Sequence, residues 1–328
     1  MNRSVLGFVV CLTATITGPG CGDLRILELG SASGFAYHGL ALSNDGSRLV
    51  SAGGLIDVWD TKSRRRLWSR SCIKKSLTDG VSFAQNDEVL IARWNRKSMD
   101  DRTVVLKLRV SDGLELERFE LAEHELIYAI SPDGQTAFRW TGGAGYLWDL
   151  ITRERIGSAW PMSWPRNCAF STNGERVAVQ NDDDGEIIVL DSRGDRRATI
   201  PLSDKARLVG ADAEAVYVQD LRRNVYAVSE RHPEFTEPVV RGCHAFALMP
   251  SGRRCASIES GGLLVVRNLE TGKVLHWGRL PAPMAYTRWQ IVVSNDDVIA
   301  ISSVPSTTYP PPLRTFLGYA RIPPPGSE

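Results

Sequence analysis

One pattern recurs through the chain: an apolar segment, a tight turn rich in Asn, Asp and Gly, then a second apolar segment. The copies read ALSNDGSRLVSAG from Ala41, SFAQNDEVLIARW from Ser82 and AISPDGQTAFRW from Ala129. They continue as AFSTNGERVAVQ from Ala169, LVGADAEAVYVQ from Leu208, ALMPSGRRCASI from Ala247 and VVSNDDVIAIS from Val292. With the turn placed at Gly46, Asp87, Gly134, Gly174, Ala213, Gly252 and Asp297, the intervals are 41, 47, 40, 39, 39 and 45 residues. A unit of ~40–45 residues has room for four short strands and their turns. Asn, Asp, Pro and Gly suit the turn because they preset or tolerate the backbone angles of a hairpin. Period-2 alternation and β-branched residues dominate and no amphipathic helix stands out, which predicts an all-β chain.

A second motif follows each turn at a fixed distance. IDVWDTKS from Ile56, GYLWDLIT from Gly145 and LVVRNLET from Leu264 each read as a third strand and a turn, with weaker copies KLRVSDG from Lys107 and VLDSRG from Val189. Short fourth strands follow, as in RRLW from Arg65 and KVLHW from Lys273. Trp59-Asp60 and Trp148-Asp149 are the pair that names the WD-repeat family, which residues 24 to 322 resemble. The resemblance implies a seven-bladed β-propeller, each blade packing only on its neighbours. The Gly-His dipeptide whose His joins a buried polar network in that family is missing from every repeat, and His38 lacks the preceding Gly. The blades are therefore expected to be held mostly by apolar packing.

The two ends complete each other. The last unit offers three strands, Arg288 to Val293, Val298 to Ser303 and Phe316 to Ile322, before Pro323-Pro324-Pro325. Leu24 to Leu29 is a strand without a blade. It is predicted to supply the fourth strand of the last blade and close the ring, removing open sheet edges. A single domain over residues 21–328, monomeric, is expected.

The first twenty residues read as an export signal. Met1 to Ser4 holds one positive charge, Val5 to Thr17 is uncharged and mostly apolar, and Gly18-Pro19-Gly20 precedes Cys21. Such an apolar stretch of 13 residues is too short for a helix across a bilayer core of about 30 Å. The stretch resembles a bacterial lipoprotein signal, with Gly18 where that pattern favours Leu, and implies a lipid on Cys21 and an extracytoplasmic, lipid-anchored protein. Plain export with Cys21 unmodified, or an intracellular scaffold whose apolar start is a strand, are the alternatives. Without the first twenty residues the body has 38 basic and 38 acidic side chains. Nucleic-acid binding through overall charge is not expected of a neutral body.

Catalytic motifs are lacking: there is no G-x-S-x-G, phosphate-binding Gly loop or H-E-x-x-H. The five His residues, 38, 124, 232, 244 and 276, are scattered. Neither a metal nor a cofactor is expected. Cys72, Cys168, Cys243 and Cys255 have no C-x-x-C spacing; Cys243 and Cys255 flank one hairpin, where either a disulfide or two buried thiols fits. The acidic run Asn181 to Glu186 lacks the spacing of a calcium loop and reads as a solvated turn.

The more informative signal is aromatic and basic. In a WD-type blade the second-to-third-strand loops and the links between blades share one face. On that face fall Arg93-Trp94, Arg139-Trp140 and the link Ala159-Trp160-Pro161-Met162-Ser163-Trp164-Pro165-Arg166, with the Pro-rich loop Val304 to Arg314. Trp and Arg are the residues most enriched at binding hot spots. Trp160, Trp164, Arg166, Arg93, Trp94, Arg139 and Trp140 are thus candidate contacts for a protein or peptide, with burial as core the competing reading for the Trp residues. The chain is read as a non-catalytic exported binding platform; the alternative is an enzyme or small-ligand binder using the central channel.

Overall fold

The recurrent turn is built by its own side chains. Ser43 Oγ donates to Asp45 Oδ1 at 2.7 Å and accepts from the Arg48 amide at 2.8 Å. Ser131 makes the same pair of bonds with Asp133 and Thr136, and Ser171 with Asn173 and Arg176. The hydroxyl thus replaces a backbone partner inside the turn, which is why Ser begins these repeats. In the second repeat the serine is absent, and Gln85, Asn86 and Asp87 all take left-handed backbone angles, with φ of 50°, 54° and 68°.

The computed structural model describes residues 22–23, 26–30, 39–71, 80–94, 102–181, 185–202, 205–229, 237–280, 287–295, 298–305 and 317–322. They form seven small sheets in a ring, a seven-bladed β-propeller, with no helix among the described residues. The first blade comprises Gly39–Leu42, Arg48–Ala52, Leu55–Asp60 and Arg65–Ser71, innermost strand first. The second comprises Gly80–Ala84, Val89–Trp94, Val104–Arg109 and Glu115–Glu120. The third runs through Leu126–Ile130, Thr136–Trp140, Ala144–Asp149 and Arg155–Pro161. The fourth has Pro165–Phe170, Arg176–Asn181, Glu186–Asp191 and Arg196–Pro201. Three strands of the fifth are described, Arg207–Ala211, Val216–Gln219 and Val225–Val228. The sixth has Cys243–Leu248, Arg254–Glu259, Leu263–Asn268 and Val274–Arg279, and the seventh Thr287–Val293, Val298–Pro305 and Leu317–Arg321.

The fourth strand of the seventh blade is Ile26–Gly30, paired antiparallel with Leu317–Arg321 so that Leu27 faces Tyr319. The expected closure from the N-terminal side is thus present. Gly22–Asp23 adds a short parallel pairing, unforeseen in the sequence, with His276 and Trp277 on the outer strand of the sixth blade. The seam between the seventh and first blades is tied by Tyr319 Oη, which donates to the buried Thr61 carbonyl at 2.5 Å, and by the Asn295 amide on the Asn44 carbonyl at 2.9 Å.

The described buried residues fall into seven apolar clusters, and each cluster joins two consecutive blades. Adjacent residues of one strand serve different neighbours. Val50 packs toward the second blade and Leu49 toward the seventh; Ala178 packs toward the fifth and Val177 toward the third. Both faces of each sheet are covered, so a second strand such as Leu49–Ala52 is buried throughout instead of alternating.

Apolar packing holds most of each blade contact, as the sequence leads one to expect, and directional bonds add to it. A polar side chain near the end of the second strand reaches the segment that enters the next blade in four successive blades. Arg93 Nη1 donates to Ile127 O at 2.6 Å, Trp140 Nε1 to Met162 O at 3.2 Å, Gln180 Nε2 to Ala206 O at 2.8 Å and Gln219 Nε2 to Cys243 O at 2.7 Å. These positions stand in the same register, opposite Gly80, Leu126, Asn167 and Arg207 of the inner strands.

The third-to-fourth-strand turns explain their acidic residues. Asp60 accepts the Ser63 amide at 2.6 Å, and Asp149 accepts those of Ile151 and Thr152 at 2.7 and 2.8 Å. The Ser63 amide holds the Asp60 carboxyl below its ordinary range, and the Thr152 amide does the same for Asp149. Because the folded values lie below the unfolded one, near 3.9, these turns stabilise the fold fully above about pH 4 and lose that contribution as the pH falls through the folded values. The urea midpoint is expected to drop steeply below about pH 4. In Asp149→Asn, which keeps the acceptor but not the titration, part of that drop should vanish; an unaltered profile would contradict the assignment.

Two turn glycines allow a sharper test of blade packing. Gly134 and Gly174 both have left-handed backbone, φ 70° and 75°. A Cβ on Gly134 would lie 2.2 Å from Ala84 Cβ and 2.7 Å from its Cα, whereas on Gly174 the nearest atom is Pro132 Cδ at 3.7 Å. Gly174→Ala is expected to cost about 1–2 kcal/mol, the left-handed penalty alone. Gly134→Ala adds overpacking and should cost about 2–5 kcal/mol. Equal costs by denaturant titration would mean that the second and third blades are not in contact there.

Candidate functional site

Strand direction decides which residues share a face. The innermost strands begin, and the antiparallel second strands end, at one mouth of the central channel. The links between blades and the second-to-third-strand loops therefore lie at that mouth. The aromatic link after Arg155–Pro161 and the start of Arg207–Ala211 are both on this side.

The structure divides the candidate rim residues into framework and surface. Trp140 is buried, its indole N–H on the Met162 carbonyl, and Met162 is buried beneath it. Arg139 is 14% exposed and ion-paired with Glu125, its guanidinium 4.7 Å from the Trp148 ring centroid. That cation–π contact and ion pair occupy Arg139 inside the third blade. Arg93 is half-buried and bonds the Ile127 carbonyl, while Trp94 ends its strand opposite Val104. Trp160 is half-buried and donates its indole N–H to Gly194 O at 2.8 Å, on a turn of the fourth blade. Trp68 of the first blade does the same to Val110 O of the second at 2.7 Å. An outer-strand Trp clamping the next blade is thus a repeated device, and Trp160 belongs to it.

Trp164 differs. It is 49% exposed and meets the Trp140 ring edge-on, with centroids 4.6 Å apart. Arg166, two residues on, is exposed. Leu55 and Leu221, at loops between second and third strands, are further large apolar side chains exposed at this face. Cys21, Asp182 to Asp184, His38 and most of the Pro-rich loop lie outside the described residues.

The channel mouth contains a recess that linear reading missed. It encloses about 380 Å³ and is bounded by Asn167, Arg207, His244, Trp289 and Gln290 together with Leu40, Val81, Phe246, Ile291 and Val292. These residues come from six blades, so no local motif announces them; only superposing the repeats places Asn167, Arg207 and His244 near the starts of their inner strands. Arg207 donates Nε and Nη2 to Gln219 Oε1, at 2.8 and 2.5 Å. Arg223 donates to the His244 ring, with Nη1 2.8 Å from Nε2. Burial and then the Arg223 charge lower the affinity of His244 for a proton, so the ring is neutral at pH 7. The described lining holds no Asp, Glu, Ser, Thr, Cys, Tyr or Lys. Its described polar groups donate hydrogen bonds and, through the carboxamide oxygens, accept them, beside apolar contact.

Cys243 and Cys255 are unpaired and buried between the fifth and sixth blades, where burial pushes each thiol up to about 12. They behave as small apolar residues and not as nucleophiles. No group of three or more His, Cys, Asp or Glu side chains suited to a metal ion occurs among the described residues.

The two Trp residues of the link should respond differently to truncation. Trp160→Ala removes a clamp and is expected to cost about 2–4 kcal/mol, somewhat below a fully buried Trp. Trp164→Ala forfeits one ring contact and should cost about 1 kcal/mol. Denaturant titration of both variants checks this, and a larger loss at Trp164 would reverse the division into framework and surface.

No protein-family model matches this chain, and no curated protein matches it either.

Proposed function

We propose that this protein is an exported, non-catalytic binding platform that presents the channel-mouth face of its propeller to a protein or peptide partner. A propeller is a stiff ring with many loops gathered on a face, which suits a binding scaffold. The observation that carries the reading is Trp164. Half of a large aromatic side chain stands in solvent, held edge-on by the buried Trp140, so little conformational entropy is lost when it is covered. Arg166 beside it supplies a directional cation, and Leu55 and Leu221 add apolar surface on the same side.

Within this proposal the chain is a degenerate WD-type propeller. In support, Trp59-Asp60 and Trp148-Asp149 both close third strands, and the Trp59 indole bonds Ser51 Oγ at 3.2 Å. Export rests on the charge-poor start of the sequence. A lipid on Cys21 would leave the ring at its outer edge, because the next residue, Gly22, pairs with His276 on the outermost strand of the sixth blade.

The test is co-purification from the native host of the tagged protein beside a Trp164→Ala/Arg166→Ala variant. Ile151→Ala, at an exposed turn on the opposite face, is the control. A partner retained by the control and lost from the double variant supports the rim as the contact. A partner set unchanged by the double variant overturns it.

A further inference from the structure

The turn between the third and fourth strands of the first blade is charged unlike its counterparts. Lys62, Arg64, Arg65 and Arg66 stand almost side by side in it, and all are exposed. The equivalent turns of the second, third, fourth and sixth blades each place an acid there: Asp112, Glu154, Asp195 and Glu270. The first blade has none beyond Asp60. Its described carboxylates are engaged: Asp57 pairs with Arg66, Asp60 with Arg48, and Asp45 accepts from the Ser43 hydroxyl and the Ser47 amide. Lys62, Arg64 and Arg65 have no ion-pair partner among the described residues.

Exposed apolar surface adjoins these cations. Leu67 and Leu116 are the unpaired bulge residues of the outer strands of the first and second blades, and Leu114 lies at the second blade's turn; all three are exposed. The two hairpins touch, for Trp68 Nε1 bonds the Val110 carbonyl at 2.7 Å and Arg70 donates to the Gly113 carbonyl at 2.8 Å. The same face receives the N-terminal side of the chain. Third strands end on it, and Ile26 lies opposite Ala320 near the end of Leu317–Arg321, one blade from Lys62. The mouth that carries Trp164 is the opposite face.

We propose that this corner of the ring docks on an anionic lipid bilayer. Lys62, Arg64 and Arg65 lie among the lipid phosphates, and Leu67, Leu114 and Leu116 enter the boundary between headgroups and acyl chains. Cations without a partner are drawn to an anionic surface without breaking an ion pair first. The leucines gain burial there that a soluble polyanion does not offer. The inference rests neither on Trp164 nor on a lipid at Cys21. With such a lipid it supplies the second of the two signals that stable anchoring takes, and it leaves the Trp164 face turned from the membrane.

Vesicle co-sedimentation at low salt tests it. The protein is the chain from Cys21 onward, which holds every described strand, made without the leader and hence unlipidated. The probes are vesicles of equal parts phosphatidylglycerol and phosphatidylcholine, and vesicles of phosphatidylcholine alone. The mixed vesicles are expected to bind at least tenfold more tightly. Lys62→Gln/Arg64→Gln/Arg65→Gln should weaken that binding about a hundredfold, at about fivefold per cation. Leu67→Ser/Leu114→Ser should weaken it about tenfold or more. Arg222→Gln/Arg241→Gln removes exposed cations from the opposite face and should leave it unchanged. Circular dichroism checks that each variant is folded, as its exposed sites lead one to expect. Equal binding to both vesicles, binding to neither, or an unchanged affinity in the triple variant would each overturn the proposal. So would an unchanged affinity in the leucine variant, the mark of a site for soluble polyanions, or an equal loss per charge from the opposite face.

Discussion

Every blade of this protein depends on having a neighbour on each side, and the ring makes that possible only when it closes. The closing contact is the antiparallel pairing of Ile26–Gly30 with Leu317–Arg321. Without it, the seventh sheet would present an unpaired edge. The cluster of Leu40, Leu49, Val298, Ala300, Leu317 and Tyr319 between the seventh and first blades needs both sheets to remain in register. The buried bond from Tyr319 to the Thr61 carbonyl belongs to the same seam. Residues nearly three hundred positions apart thus decide whether the seven sheets share one continuous belt of burial or two terminal sheets each face water.

The blades are alike in backbone and unlike in the way they grip one another. Trp68 and Trp160 clamp the following blade from the outer strand, each bonding a carbonyl in a third-to-fourth-strand turn. Nearer the axis the grip passes through the second strand, at Arg93, Trp140, Gln180 and Gln219. An indole or carboxamide can serve in both places because it carries a donor at the end of an apolar or flexible stem. Most of the contact is still non-directional burial, and the directional bonds fix the angle between sheets that burial alone would leave loosely defined.

Much of the ring was legible in the sequence because its information is local and repeated. Ser-Asp-Gly and Asp turns recur at blade spacing, and each is explained by bonds within a few residues, as at Ser43 and Asp149. The closing strand was legible for a different reason: one blade lacked a strand and the N-terminal side had one to spare. The roles of individual aromatic residues were not legible. Trp160 lies near the end of an outer strand and Trp164 four residues on in the link, yet one is a clamp and the other stands half in solvent, since a link that leaves its sheet turns its side chains by geometry that composition does not encode. The recess was hidden for the opposite reason, because its side chains converge from six blades and no local motif joins them.

The uneven grip near the axis bears on where a ligand can sit. In the register occupied by Arg93, Trp140, Gln180 and Gln219, the first, sixth and seventh blades have Ala52, Ile258 and Ser302. Ala52 and Ile258 have no side-chain donor, and Ser302 turns its hydroxyl to Gln290 of its own blade. A long donor at these three positions would reach across the inner strands at the mouth and fill space there. Their short or apolar side chains leave room instead, and it is beside them that Leu40, His244, Trp289 and Gln290 bound the recess. The second to fifth blades are bridged in this register, and the arc from the sixth through the seventh to the first holds together by apolar clusters, the closing strand and the seam bonds of Tyr319 and Asn295. Rigidity and open space at the channel mouth are thus set by one position of the repeat.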